Sequence, residues 1–307
     1  MTKVFIDGSA GTTGLRIVDR LSLRKDLELL ILPDDLRKSP QARADALTSA
    51  DIAFLCLPDD AARESAALAA GSKVKIIDTS TAHRTDPDWV YGMPELTGLR
   101  EKIAASSRIA NPGCHASGFV ALVAPLVEQG ILSPDTALTC FSLTGYSGGG
   151  KGMIADYERP DRSGLLKAPR QYALPQQHKH LKEMVKLSGL ETTPVFCPIV
   201  ADFYSGMEVT VSLFAKDIKG TAQDIRQLYK NYYDGGLIRY QENADADGML
   251  SAAAFSMRDD MSVSVFGNEE RILLVSRFDN LGKGASGAAI QNMNILLGLD
   301  EATGLNI

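Results

Sequence analysis

The stretch "VFIDGSAGTTGLRIV" sets Gly8, Gly11 and Gly14 between a short apolar run and a helical pattern. No other feature limits the fold as strongly. A strand that turns into a helix within a few glycines must cross over to a parallel neighbour to bury both elements. Glycine there permits positive φ and lets a ligand approach the backbone, while the helix start offers unpaired N–H groups to a pyrophosphate. The spacing is GxxGxxG rather than the commoner dinucleotide GxGxxG. A tight turn with close helix packing uses the same glycines. The hydroxyls of Ser9, Thr12 and Thr13, with Ala10 in the turn, favour a bound ligand.

The next hundred residues repeat this alternation. "KVFID", "LELLIL", "DIAFLCL" and "VKIIDTS" are short, apolar and bounded by Gly, Pro or Asp, as buried strands are. Helical patterns over 12–24 and 59–70 lie between them, which predicts an α/β fold, a doubly wound parallel sheet of the Rossmann kind. After about residue 112 the strands "ALTCFSLTGY", "PVFCPIV", "MEVTVSLFA", "SVSVFG" and "RILLVSRFD" are richer in β-branched alternation. Helices are expected only near 115–128, 179–188, 221–233 and 285–297. The reading is a dinucleotide-binding domain over 1–112 plus about 285–307. A catalytic, substrate and oligomerisation domain follows over 113–284, an α+β unit on a mostly antiparallel sheet.

The second strand runs into "LPDDLRKS". An acidic residue there suits the ribose 2′-OH of NAD, and a basic one the 2′-phosphate of NADP. Asp34 and Asp35 speak for the first, Arg37 and Lys38 for the second, and the residues alone leave both open. A net charge of −6 argues against nucleic acid or an anionic membrane as partner. No apolar run reaches the length of a membrane span, and "MTKVFIDGSAG" is not a secretory signal. The 4 cysteines show no CxxC spacing and no disulfide framework, which fits a reducing, cytoplasmic compartment.

One cysteine stands apart. In "IANPGCHASGF", Cys114 follows a Pro-Gly turn and precedes Phe119, Leu122, Val123, Leu126 and Val127 at helical spacing. It therefore sits at a helix start, where the partial positive charge favours a thiolate. Cys56, Cys140 and Cys197 lie in apolar strand patterns and read as packing. Of the 4 histidines, His115 is adjacent to the cysteine, His83 lies in the loop "TSTAHRTD", and His178 and His180 open a helix in "QQHKHLKEM". The H-x-H pair lacks further ligands at metal-like spacing, so no metal is expected. Arg84, Lys151 and Lys179 are candidate anion contacts.

"IANPGCHASGFVALVAP" closely resembles the active-site signature of N-acetyl-gamma-glutamyl-phosphate reductases. His115 stands where that signature carries an aromatic residue, and Ser117 where it carries Thr. "DTSTAHRT", "YGMPEL", "TGYSGGGK" and "DNLGKGASGAAIQNMN" resemble further blocks of the family, in family order, and the shorter, second type is the better likeness. The resemblance implies Cys114 as the thiol nucleophile and His180 as acid–base group, with Lys182 where proline is usual. It implies NADP as cofactor, held by the glycine turn, Arg37, Lys38, Ser80, Gly282 and Gly284, and a substrate site including Ser147, Gly149 and Arg84. The implied activity is NADPH-dependent reduction of N-acetyl-gamma-glutamyl phosphate to the semialdehyde, through a cysteine thioester, in arginine biosynthesis. A small-molecule substrate and a homo-oligomer, dimer or tetramer, complete the expectation. An aspartate- or aminoadipate-semialdehyde dehydrogenase is the alternative enzyme, and an NADP-binding redox sensor the non-catalytic one.

Overall fold

Along β1 (Thr2–Asp7) the apolar side chains leave the strand alternately to two separate cores. Val4 and Ile6 pack with Ile17, Leu21, Phe54 and Ile77, while Phe5 packs with Leu47, Leu55, Ala62 and Ile76. A strand buried on both faces has no polar side to show, which is why these segments read as continuous apolar runs. The computed structural model describes residues 1–307. These divide into two units, residues 1–112 with 285–305, and residues 113–284 with 306–307.

In the first unit the chain continues through α1 (Thr12–Leu21), β2 (Leu27–Leu30), α2 (Pro40–Ser49), β3 (Ile52–Leu55), α3 (Asp59–Leu68), β4 (Lys75–Asp78), β5 (Val90–Tyr91), α4 (Leu99–Ala105) and β6 (Arg108–Ala110). The 6-stranded sheet has the order β2-β1-β3-β4-β6-β5 and is parallel throughout. Its strand order reverses between β1 and β3, and in such sheets the crevice beyond the carboxyl ends at that reversal is where ligands bind. Asp7 ends β1 with a buried carboxylate, which Arg43 and Ser65 reach at 3.0 and 2.6 Å.

The second unit starts with α5 (Cys114–Glu128), whose residues from His115 to Leu126 are all buried. There follow β7 (Thr139–Gly145), α6 (Gly150–Glu158), β8 (Arg170–Gln171), α7 (His180–Ser188), β9 (Val195–Ala201), β10 (Met207–Phe214), α8 (Ala222–Tyr232), β11 (Ile238–Tyr240), β12 (Met261–Gly267) and β13 (Arg271–Phe278). The 7-stranded sheet runs β11-β12-β13-β10-β7-β9-β8, with only β11–β12 and β7–β9 parallel. One face packs on α5, and α8 backs α5 through Tyr233, whose hydroxyl donates to Ala121 O at 2.7 Å. On the opposite face Phe141, Val195, Phe214 and Leu273 are exposed. The last helix, α9 (Gly287–Leu296), buries Ala289, Ile290 and Met293 in the core of the first unit.

Three helices were not anticipated from the sequence. α2 buries only Arg43, Ala46 and Leu47 and so shows almost no apolar stripe; its start signal is Ser39, whose hydroxyl accepts from Ala42 N–H, followed by Pro40. α4 is a single short stretch of 7 residues. The glycine-rich "TGYSGGGK", which carries no helical pattern, forms a 3₁₀ turn over Tyr146–Gly149 and then enters α6.

Gly118 shows how tightly α5 meets its sheet. A Cβ there would lie 2.5 Å from Val209 Cγ2, 2.7 Å from Ser276 Oγ and 2.8 Å from Phe278 Cε1. Alanine would gain about 1 kcal/mol of helix propensity, whereas overpacking costs about 1–3 kcal/mol. Gly118→Ala is therefore expected to be net destabilising, with Tm lowered by about 2–4 °C for each kcal/mol lost. Thermal denaturation checks it, and a raised Tm would show that α5 can slide on the sheet.

Candidate active site

Cys114 is the first residue of α5, and its N-cap is Gly113, which has no side chain to satisfy the helix start. That role falls to α7. Glu183 is buried, and its Oε1 accepts the Gly113 N–H at 2.7 Å. Ser117 ties the same turn from inside, donating through Oγ to Gly113 O at 3.0 Å. A carboxylate at a helix start also sits favourably in the dipole field of the N-terminal N–H groups. Burial pushes the Cys56 thiol up to about 12, and burial raises the Cys140 thiol as well. Cys114 is half-buried, as Cys56 is, but it stands at the start of a helix.

His180 is the first residue of α7, three before Glu183, so both lie on one face of the helix. The carboxylate that grips the start of α5 thereby brings the His180 ring to within 5.7 Å of the His115 ring, centroid to centroid. The His178 ring lies 5.6 Å from His115 and 4.7 Å from His180, nearly perpendicular to both. His178 Nδ1 accepts the His180 N–H at 3.2 Å. Three histidines and Tyr172 thus gather at the start of α5. His115 differs from the others: burial, reinforced by the charge of His178, pushes it down to about 3. The neutral ring is thereby favoured near neutral pH.

Gly284 packs on the cysteine itself. A Cβ there would stand 3.0 Å from Cys114 Cβ and 3.1 Å from Asp279 O, and one on Gly282 would stand 1.9 Å from Arg258 O. The segment is pinned by Asp279, fully buried, whose Oδ1 accepts the N–H groups of Leu281 and Gly282 at 2.6 and 3.0 Å. Its Oδ2 accepts from Ser205 Oγ at 2.7 Å and from the Met257 N–H. Ser147 is buried, its Oγ accepting from Asn280 Nδ2 at 3.0 Å, while Gly149 is exposed against Met153. Lys151 and Lys179 are exposed.

The first unit holds the other group of expected residues. Gly8 has φ +84°, and a Cβ on it would meet Cys56 O at 2.3 Å; one on Gly14 would meet Gly8 O at 2.3 Å. These two glycines are required by the turn's own packing between β1, β3 and α1. Gly11 is the N-cap of α1 and has no side-chain cap, so the helix start at Thr12 and Thr13 offers its N–H groups outward from a part-exposed turn. This cradle, at the strand-order reversal, fits a nucleotide pyrophosphate. Arg37 and Lys38 lie between β2 and α2, with Arg37 Nε 3.4 Å from Asp34. The "DTSTAHRT" segment is an internal brace. Asp78 accepts from the Ser80 N–H and hydroxyl at 2.9 and 2.7 Å and lies 2.7 Å from His83 Nδ1. His83, expected as a polar loop residue, lies in the loop but is buried, 2.7 Å from Asp78 and stacked on Trp89 at 4.0 Å. Arg84 donates to Asn111 O and Thr79 O at 2.9 and 3.0 Å.

Comparison with known proteins agrees with this division. Residues 33–106 match the NAD binding domain of semialdehyde dehydrogenases, and residues 114–280 their dimerisation domain. An N-acetyl-gamma-glutamyl-phosphate reductase 2 of Nostoc sp. is 46% identical, covering 99% of each chain. Its namesake from Pseudomonas putida is 42% identical, covering 98% of each. Among solved structures, an aspartate semialdehyde dehydrogenase II from Vibrio cholerae, complexed with ASA, shares the fold with TM-score 0.74 at 16% identity, covering 97% of this chain and 98% of that one. An aspartate semialdehyde dehydrogenase with NADP from Candida albicans gives 0.66 at 16% identity, covering 97% and 99%.

The buried neutral His115 leaves a signature in stability. Its folded value near 3 lies far below the ordinary 6.5, so between those limits the unfolded chain binds a proton that the folded one does not. Stability must then fall as pH falls through this window, by up to about 1.4 kcal/mol per pH unit from this group. The Tm of the parent protein is expected to drop more between pH 7 and pH 5 than that of His115→Phe. Parallel curves from scanning fluorimetry would mean that His115 accepts a proton in the fold.

Proposed function

We propose that this chain, which belongs to the N-acetyl-gamma-glutamyl-phosphate reductase family of semialdehyde dehydrogenases, reduces its acyl phosphate through a thioester on Cys114, with His180 as acid–base group and NADP as cofactor. The activity itself follows from membership: the chain is an oxidoreductase that converts N-acetyl-gamma-glutamyl phosphate to the semialdehyde. The observation that carries the mechanism is the Glu183–Gly113 hydrogen bond, through which one helix both supports the cysteine's turn and brings its own histidine to it.

Cys114 thiolate attacks the acyl carbon, the bond to phosphate breaks, and inorganic phosphate leaves. N–H groups at the start of α5 offer themselves to the oxyanion of the tetrahedral intermediate. A nicotinamide nucleotide held at the glycine turn from Gly8 to Gly14 would supply the hydride needed to bring the thioester to the aldehyde level. His180 holds the proton removed from the thiol, lends it to the tetrahedral oxygen, and recovers it as the C–S bond breaks and the thiolate returns. Gly284 keeps the space beside Cys114 free of a side chain.

In the first unit the glycine turn from Gly8 to Gly14 is assigned to the pyrophosphate and Arg37 and Lys38 to the 2′-phosphate. Ser80 and Arg84 support the loop after β4, and Ser147 and Gly149 are assigned to the substrate side. The enzyme is read as cytoplasmic, where reducing conditions keep Cys114 a thiol; no helix is long and apolar enough to cross a membrane. It is also read as a homo-oligomer, dimer or tetramer, a reading supported by the match to a dimerisation domain and by the apolar residues exposed on the second sheet.

Phosphate-dependent oxidation of N-acetylglutamate semialdehyde, measured beside aspartate semialdehyde, tests the whole reading. The N-acetylated substrate is expected to be favoured by about 10³-fold or more in kcat/KM, since a pocket for the amide leaves an ammonium desolvated and unpaired. Comparable values would move the chain to the aspartate branch. Cys114→Ser is expected to abolish turnover, and His180→Asn to lower kcat by about 10²–10⁴. A larger loss in His178→Asn than in His180→Asn would transfer the role to His178.

Replacing Arg37 and Lys38 together by alanine is expected to raise the KM for NADPH tenfold or more. That corresponds to one charge-assisted hydrogen bond of about 1.5–3 kcal/mol, and the KM for NADH should stay within about twofold. An equal loss for both nucleotides would show that neither residue reads the 2′-phosphate.

A further inference from the structure

His115 occupies the place of an aromatic ring, yet it makes two contacts that a phenyl ring cannot. Its Nδ1 lies 2.7 Å from Ser142 Oγ, on β7, and its Nε2 lies 2.6 Å from the Tyr172 hydroxyl. A neutral imidazole has one donor and one acceptor, and both neighbours are rotatable hydroxyls, so each contact is satisfied in either tautomer. Tyr172 follows β8 directly and opens the segment that leads to His178 and His180.

That segment is strained. Ala173 and Gln176 have φ of 52° and 58°, a left-handed conformation that costs a residue with a side chain about 1–2 kcal/mol. Such backbone persists only where its surroundings over-determine it. Three ties do so. Tyr172 N–H donates to Pro198 O at 3.0 Å, the Gln176 side chain pairs in both directions with the Phe196 backbone at 2.8 Å, and the Tyr172 hydroxyl bonds His115. The third is the only one of them that reaches α5. Burial, reinforced by the charge of Cys114, pushes the Tyr172 phenol up.

We infer that the chain Tyr172–His115–Ser142 is a positioning device of this enzyme, holding the strained segment between β8 and α7 so that its histidines meet the start of α5. Tyr172 and His115 are positioning residues that act through His180 and exchange no proton with the substrate. The inference rests on the role assigned above to His180.

The experiment is a double-mutant cycle on the full-length enzyme with N-acetylglutamate semialdehyde, phosphate and NADP. Tyr172→Phe and His115→Phe are each expected to lower kcat about tenfold while KM changes less than about threefold. The double variant is expected to be no slower than the slower single variant, because the two side chains act as one bond. Melting temperatures, taken in parallel, separate this from a loss of fold. If His115→Phe does not fold, Tyr172→Phe, which removes a single oxygen, carries the test alone.

A Tyr172→Phe enzyme with kcat within twofold of the parent overturns the inference, as do additive losses that track Tm. His180→Asn in the same assay keeps the two levels apart. If His180→Asn is slow and Tyr172→Phe is not, only the positioning role fails. If the parent turns over but His180→Asn is unimpaired, the acid–base role assigned to His180 fails and this inference with it, while the activity stands. If the parent does not turn over this substrate, the assigned function fails and takes this inference with it.

Discussion

The hydrogen bond from Gly113 N–H to Glu183 Oε1, 2.7 Å long and buried, is the contact that ties α7 to the start of α5. A helix start must satisfy its leading N–H groups, and here the N-cap, Gly113, has no side chain to accept from them. The missing cap comes from another helix. Because Glu183 and His180 are three residues apart on α7, capping α5 and bringing the imidazole to it are one act of packing. A charge-assisted bond of this kind contributes about 1.5–3 kcal/mol. Losing it would leave both the N–H and the carboxylate buried without each other.

The glycine turn of the first unit shows packing and binding served by the same atoms. Gly8 and Gly14 have no room for a Cβ, because Cys56 O and Gly8 O stand 2.3 Å from where it would be. The turn would need those glycines even if it held nothing. What suits it to a nucleotide is its address: it follows β1, beside β3, where the strand order reverses, and it leaves α1 without a side-chain cap. The motif announces a tight strand–helix turn, and the topology turns that into a place for phosphate.

His115 shows how a departure from a family pattern can be absorbed. An imidazole in a fully apolar niche would lose its hydrogen bonds to water and find none in exchange. Here Ser142 and Tyr172 supply both, and burial favours the neutral ring, pushing its value down to about 3. The ring keeps the aromatic role, packing against Phe196 at 5.3 Å, and gains a polar one.

Much of this was legible in the chain before any coordinates. The parallel sheet, the mostly antiparallel second sheet and the cysteine at a helix start follow from local rules: strand runs buried on both faces, β-branched alternation, a Pro-Gly turn before helical periodicity. Local rules failed where a segment's structure is supported from outside it. α2 lacks an apolar stripe because its key buried side chain, Arg43, is bound to Asp7 at the end of β1. The glycines of "GGGK" enter α6 against their propensity, and His83 is drawn inward by Asp78. Glu183 and Tyr172 carried no signal at all, since a carboxylate on an amphipathic helix and a tyrosine after a strand are ordinary. Composition and periodicity determine which elements form and which faces are apolar. Which side chains then meet across 50 or 70 residues is decided by packing, because hydrogen bonds between distant segments need distances that no spacing along the chain encodes.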